Sequence, residues 1–159
     1  MTRAEKLSDE LKRSVFADPW HGSSVKDVLE GITSEQAFQK PISSAHNIIE
    51  LTLHINAWTE EVLSRINGNA PALPANGDWP EPQNHSDEYW QAIKQNLFIN
   101  TNKLIAALNN FPKEKLDEVT VAERNQHLGT GFSFEGLIIG LVQHNAYHAG
   151  QIALIKKSF

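Results

Sequence analysis

The sequence predicts an all-α protein, a four-helix bundle with a long loop between its second and third long helices. Three observations predict it. Four long segments repeat apolar residues every three to four positions, and no segment alternates apolar and polar residues over the length of a strand. The last long segment also carries no Asp, Glu, Lys or Arg from Gly136 to Ile155, as a helix packed inside a bundle would. At 159 residues and 40% apolar content, the chain suits one domain over residues 1–159 with a sizeable core.

Thr2 to Ala17 sets Ala4, Leu7, Leu11 and Val15 on one face among charges, and Asp18-Pro19-Trp20-His21-Gly22 breaks that first helix. Ser24 then caps a short helix ending near Gly31. Thr33-Ser34-Glu35-Gln36 has capping-box spacing and starts one more turn before Pro41. Ser43 or Ser44 is expected to open the second long helix, which runs to about Ile66 with the stripe Ile48, Leu51, Ile55, Trp58, Val62 and Ile66. Asn67-Gly68 closes it with residues that tolerate positive φ.

Residues 69–85 hold Pro71, Pro74, Pro80 and Pro82 and read as a loop, in which Asp78-Trp79-Pro80 offers an aromatic to cover one end of the bundle. Ser86-Asp87-Glu88 starts the third long helix with acidic residues at the positive end of its dipole. Its inner face is Trp90, Ile93, Leu97, Thr101, Leu104, Leu108 and Phe111, and Pro112 ends it. In 113–132, Leu116 to Val121 reads as extended, while Gly129 and Gly131 favour a bend. Ser133 caps the final helix, Phe132 and Leu137 stand at hydrophobic-staple spacing, and Lys156 and Lys157 suit its C-terminal end. This uncharged helix is expected to be the most buried of the four.

Several functions are excluded by composition. Net charge is −5 with no dense Lys/Arg cluster, so a nucleic-acid partner is not expected. The absence of cysteine removes disulfides, thiolate ligands and a protein thiol nucleophile. The first residues show no apolar core of a signal peptide, and no stretch reaches the ~20 apolar residues of a membrane span. A cytoplasmic protein with no membrane partner is expected. There is no G-x-S-x-G elbow, phosphate loop or dinucleotide fingerprint.

The chemistry lies in the histidines. On a helix, Leu137, Leu141, His144, His148, Gln151 and Ile155 fall on one stripe, which places two imidazoles where core residues belong. Unpartnered polar burial costs roughly 1–3 kcal/mol per group. A divalent metal offsets that cost economically, because His at i and i+4 point the same way and can share an ion.

Five histidines could supply a third donor. His85 and His127 lie in polar loop sequence and read as solvated. His46 sits at the expected start of its helix and reads as a capping residue, and His21 is either a structural corner or a pocket wall. His54, mid-helix at the edge of the buried stripe, is the strongest donor; the alternative is a core-edge histidine bonded to a carbonyl. Glu50 and Glu61 read as helix-surface ion pairs or as carboxylates supporting ligands, and Trp58 as core. Three histidines on two helices would leave positions open on an ion, the arrangement of catalytic sites.

The run His144-Asn145-Ala146-Tyr147-His148-Ala149-Gly150-Gln151-Ile152 resembles the C-terminal signature of the DinB/YfiT-like family. Glu50-Leu51-Thr52-Leu53-His54-Ile55-Asn56-Ala57-Trp58 is similar to that family's second-helix motif, and Trp20-His21-Gly22 to a segment of one branch. The resemblance implies a four-helix bundle, often a homodimer, holding a zinc- or nickel-like divalent ion on His54, His144 and His148. Relatives include thiol S-transferases using bacillithiol, mycothiol-dependent isomerases and proteins described as metal-dependent hydrolases. The expected function is therefore a metal-dependent enzyme of the thiol S-transferase type acting on small electrophilic molecules, with a low-molecular-weight thiol as co-substrate. A hydrolase using water activated at the ion is one alternative, and a non-catalytic metal-binding or stress-related bundle is the other.

Overall fold

The computed structural model describes residues 1–159, and every regular element in it is helical. The four long helices are α1 (Arg3–Phe16), α4 (Ile48–Ile66), α5 (Asp87–Asn109) and α6 (Phe134–Lys156), with the short α2 (Val25–Leu29) and α3 (Ser34–Phe38) between the first two. Helices α1 and α4 each pack against both α5 and α6, so they occupy opposite corners of a four-helix bundle. No helix is long and apolar enough to cross a membrane.

Capping decides where most helices begin. Thr2, Ser24, Thr33 and Asn47 each accept from the backbone two or three residues inside the helix while Glu5, Asp27, Gln36 and Glu50 reach back. Asn47 corrects the expected start of α4. Ser43 and Ser44 are also good capping residue types, but Asn47 is the one with an acid three positions on, so Pro41 to His46 remains a turn. Gly68, at φ 94°, takes the chain away from the far end of α4.

Two apolar clusters fill the bundle. One gathers Ile48, Ile49, Leu51, Ile55, Trp90, Leu97 and Ile152 with the short helices; the other gathers Leu11, Val62, Leu104, Leu108, Leu116 and Ile138. Between them every long helix contributes buried polar residues: Ser14 on α1, His54 and Thr59 on α4, Thr101 on α5, Asn145 and His148 on α6. The hydroxyls satisfy themselves by donating to carbonyls three or four residues back. The histidines lie in this polar belt.

The ranking of burial differs from expectation. Thirteen of the 19 residues of α4 are buried, against eight of 23 in α6. Helix α6 carries no charge between Glu135 and Lys156 but is not enclosed, since Ile139, Tyr147 and Leu154 form a face that no other element covers, each at least 44% exposed. Residues 113–132 hold two short 3-10 turns and a single β-bridge, Val119 with Ser133, instead of an extended run. Leu116 is fully buried there and pins the segment to the core.

Candidate metal centre

Residues 69–85 form a strap that runs back along α4, and successive residues of α4 fasten it. Buried Glu61 accepts from the Ala72 N–H at 2.8 Å, and Arg65 donates to the Ala72 carbonyl at 3.2 Å. Two turns earlier Trp58 Nε1 donates to Asp78 Oδ1 at 2.7 Å. One turn earlier again, His54 Nδ1 donates to the Asp78 carbonyl at 2.6 Å. That last bond fixes the ring: with its proton on Nδ1, neutral His54 carries a bare lone pair on Nε2.

His148 is fixed in the same way from its own helix. Its Nδ1 donates to Gln151 Oε1 at 2.6 Å, one turn on, leaving Nε2 bare. His144 Nε2 lies 2.9 Å from His54 Nε2, and one ring nitrogen from each of the three histidines lies within 4.8 Å of the others. His144 differs from its neighbours in one respect, because its Nδ1 is buried without a partner.

All three imidazoles are pushed toward the neutral form. Burial, reinforced by His148 and His54, pushes His144 from its ordinary 6.5 down to about 3. Burial also lowers His54 against the raising effect of the Asp78 carbonyl, and lowers His148 against that of Gln151. Neutral imidazoles turned toward one another, two of them with a bare Nε2, suit a divalent cation, and His144 becomes a third donor once its proton moves from Nε2 to Nδ1. Oxygen acceptors on the far nitrogens of two of them are the usual orienting device for metal-bound histidine. Two nitrogens on a tetrahedral zinc ion stand about 3.3 Å apart from bond lengths alone, so the 2.9 Å pair would open slightly and separations up to 4.8 Å would close around a shared ion. The residues present fit a metal ion.

Trp79 roofs the cluster. Its indole lies parallel to His54 at 3.8 Å and to His46 at 3.6 Å. Two rings this close cannot share one face, so the indole is sandwiched between them. It also meets His148 edge-on at 5.9 Å. His46 therefore lies behind the tryptophan, outside the cluster, with its Nδ1 2.9 Å from Glu50 Oε2. It precedes α4 and does not sit in its first turn.

On the α6 side a cavity of about 430 Å³ opens against His144. Its apolar wall includes Trp58, Val62, Phe132, Leu137, Ile139 and Leu141. Trp58 is thus half-buried and faces a cavity, where the sequence reads as core. Its indole is held by Asp78 and by the Arg65 guanidinium 5.9 Å from the ring centre.

Residues 20–152 match the family model of the DinB superfamily. The chain belongs to the DinB superfamily. No curated protein and no solved structure matches it. Within this DinB fold the tertiary structure brings together His54, His144 and His148. It leaves His21, His85 and His127 exposed, with His85 stacked on Phe38 at 4.1 Å between ring centres. Neither Glu50 nor Glu61 touches the cluster: Glu50 pairs with His46 and Lys40, and Glu61 with Arg65. The supports of the rings are Gln151 and the Asp78 carbonyl. Gln151 could have been found from its place one turn after His148. The carbonyl could not, because it depends on how the strap folds back.

Proposed function

We propose that this DinB-superfamily chain holds a divalent ion, zinc or nickel, on His54, His144 and His148, and works as a metal-dependent enzyme of the thiol S-transferase type on small electrophilic molecules. The observation that carries this reading is the pair of anchored rings. The Nδ1 protons of His54 and His148 are committed to oxygens that can only accept, so their Nε2 lone pairs are left for a cation. When bound, such an ion supplies Lewis acidity, lowering the pKa of a coordinated thiol or water and polarising a substrate oxygen. Three protein donors leave room for such a partner.

The surroundings favour a thiol as nucleophile. No carboxylate lines the cavity, so with His144 engaged as a ligand nothing else on that wall can act as a general base. A thiol of pKa ~8.5 ionises at neutral pH after a shift of one or two units, whereas water needs about nine. With no cysteine in the chain, the thiol comes from a low-molecular-weight co-substrate. The strap holds His54 through Asp78, Gln151 holds His148, and Trp79 screens the rings from water on one side. Hydrolysis is the second reading, supported by the half-exposed Asp78 carboxylate 3.3 Å from His54 Nδ1. An accessible cavity argues against mere sequestration. A cysteine-free chain suits the cytoplasm, and the uncovered face of α6 suits a homodimer.

Elemental analysis of freshly purified protein tests the ion. Near-stoichiometric zinc or nickel is expected, falling to background in His148→Ala; unchanged occupancy in that variant refutes the ligand set. Turnover of a chromogenic aryl halide with and without added thiol tests the reaction. Thiol-dependent product supports transfer, and thiol-independent hydrolysis of an ester moves the assignment to the second reading.

A further inference from the structure

We infer that the cavity beside His144 binds the apolar body of an uncharged small molecule, and that charged electrophiles are excluded from it. The inference rests on the triad being the reactive centre and adds the substrate class to that reading. At about 430 Å³ the cavity falls within the ~300–1,000 Å³ of pockets that take small organic ligands. Its apolar wall is joined by glycines and by two neutral amides, Gln126 and Gln143, which can pair with a carbonyl or hydroxyl but cannot balance a charge.

No charged side chain lines the cavity; of the two guanidiniums beside its wall, Arg124 is exposed and stacks 4.9 Å from the Phe132 ring centre, and Arg65 is already engaged. Arg65 lies behind the wall, where a Cβ on Gly129 would stand 3.7 Å from its Nη1. Its guanidinium binds Glu61 and the carbonyls of Ala72, Leu128 and Gly129. A substrate carboxylate or phosphate entering here would lose its hydration without a counter-charge in the cavity lining. An aryl or alkyl group would gain about 25 cal/mol for each Å² it buries.

Gly140 gives a way to close the cavity without disturbing the fold. It lines the cavity, and a Cβ built on it meets nothing within 4 Å. Replacing a helical glycine also raises helix propensity by up to ~1 kcal/mol. Gly140→Leu should therefore fold at least as well as the parent and place its side chain in the ligand's space.

The test is fluorescence titration with phenylnaphthylamine, an uncharged fluorophore, and with anilinonaphthalenesulfonate, the same skeleton bearing a sulfonate. The parent should bind the uncharged probe saturably and at least ~10-fold more tightly than the sulfonate, and Gly140→Leu should weaken it ~10-fold or more. Ile139→Lys, at a position 44% exposed on the rim, should shift the preference toward the sulfonate and is a second probe should Gly140→Leu fail to fold. Unchanged binding of the uncharged probe in folded Gly140→Leu, or equal affinity of the parent for both probes, overturns the inference. His148→Ala separates the two readings. Retained probe binding with metal lost leaves the cavity assignment standing, while full metal content in a protein that never binds the probe removes the cavity and leaves the triad.

Discussion

The strap side and the α6 side of the histidine cluster present the same imidazoles to different surroundings. Toward the strap, His54 has a carbonyl on Nδ1 and an indole over its face, and the strap is itself tied to Glu61 and Arg65. Toward α6, His144 has a buried Nδ1 with no acceptor and an apolar cavity alongside. To serve as a ligand through Nε2, neutral His144 must carry its proton on that unpartnered Nδ1. One side is built to hold a ring still. The other leaves a ring free to change its protonation site where a ligand would enter.

The largest effect expected from disturbing this contrast lies away from the histidines. Glu61 and Arg65 are both buried, with side chains 7% and 2% exposed, and together they bind the strap and the Leu128–Gly129 wall of the cavity to α4. Removing one partner of such a pair leaves a buried charge uncompensated, at roughly 3–5 kcal/mol. Glu61→Ala should lose that much stability in urea unfolding and should loosen both sides together. A loss below about 1 kcal/mol, the scale of an exposed pair, would mean that the network does not hold the site.

A smaller effect should follow from removing one anchor. Gln151→Leu deletes the acceptor that fixes the His148 tautomer, and supports of this kind are typically worth 10–100-fold in metal affinity. Competition with a chromogenic chelator measures it, with Gln151→Glu expected to retain binding because it keeps the acceptor. Equal affinity in all three proteins would show that the anchored and unanchored rings behave alike.

The smallest effect is a pH slope in the metal-free protein. His144 has its imidazole pushed down to about 3 when folded, against an ordinary 6.5, so between these values the unfolded chain binds a proton that the folded chain does not. Its contribution to stability is complete above pH 6.5 and is lost as pH falls toward 3, at about 1.4 kcal/mol per pH unit. His54 and His148, also lowered, add in the same direction. Urea midpoints between pH 7.5 and 6 should fall with pH in the parent and less steeply in His144→Gln. Parallel curves would place the His144 ring in water.

Much of the architecture was legible because it depends on local rules. Helical periodicity, capping residues and Asn67-Gly68 each act within a turn of where they stand, and they located the four long helices and the short turns between α1 and α4. The two departures at helix level have separate causes. Ser43 and Asn47 both satisfy the local preference for a cap, and only the reach-back of Glu50 distinguishes them. The absence of charge along α6 predicts burial, yet it means only that water is not required, and one face of α6 remains uncovered.

The sequence by itself determined the all-helical bundle and the His144–His148 pair, because periodicity and i, i+4 spacing are properties of a single helix; the superfamily and the place of His54 beside that pair came from the resemblance of two whole motifs. The tertiary structure alone decided which atoms support those histidines. The Asp78 carbonyl, the indole of Trp79 and the cavity wall reach His54 and His144 from segments far along the chain, through a strap whose course depends on Glu61 and Arg65. A backbone carbonyl has no residue-type signature, and an empty volume belongs to no residue at all. Both come into being only when separate helices are packed together.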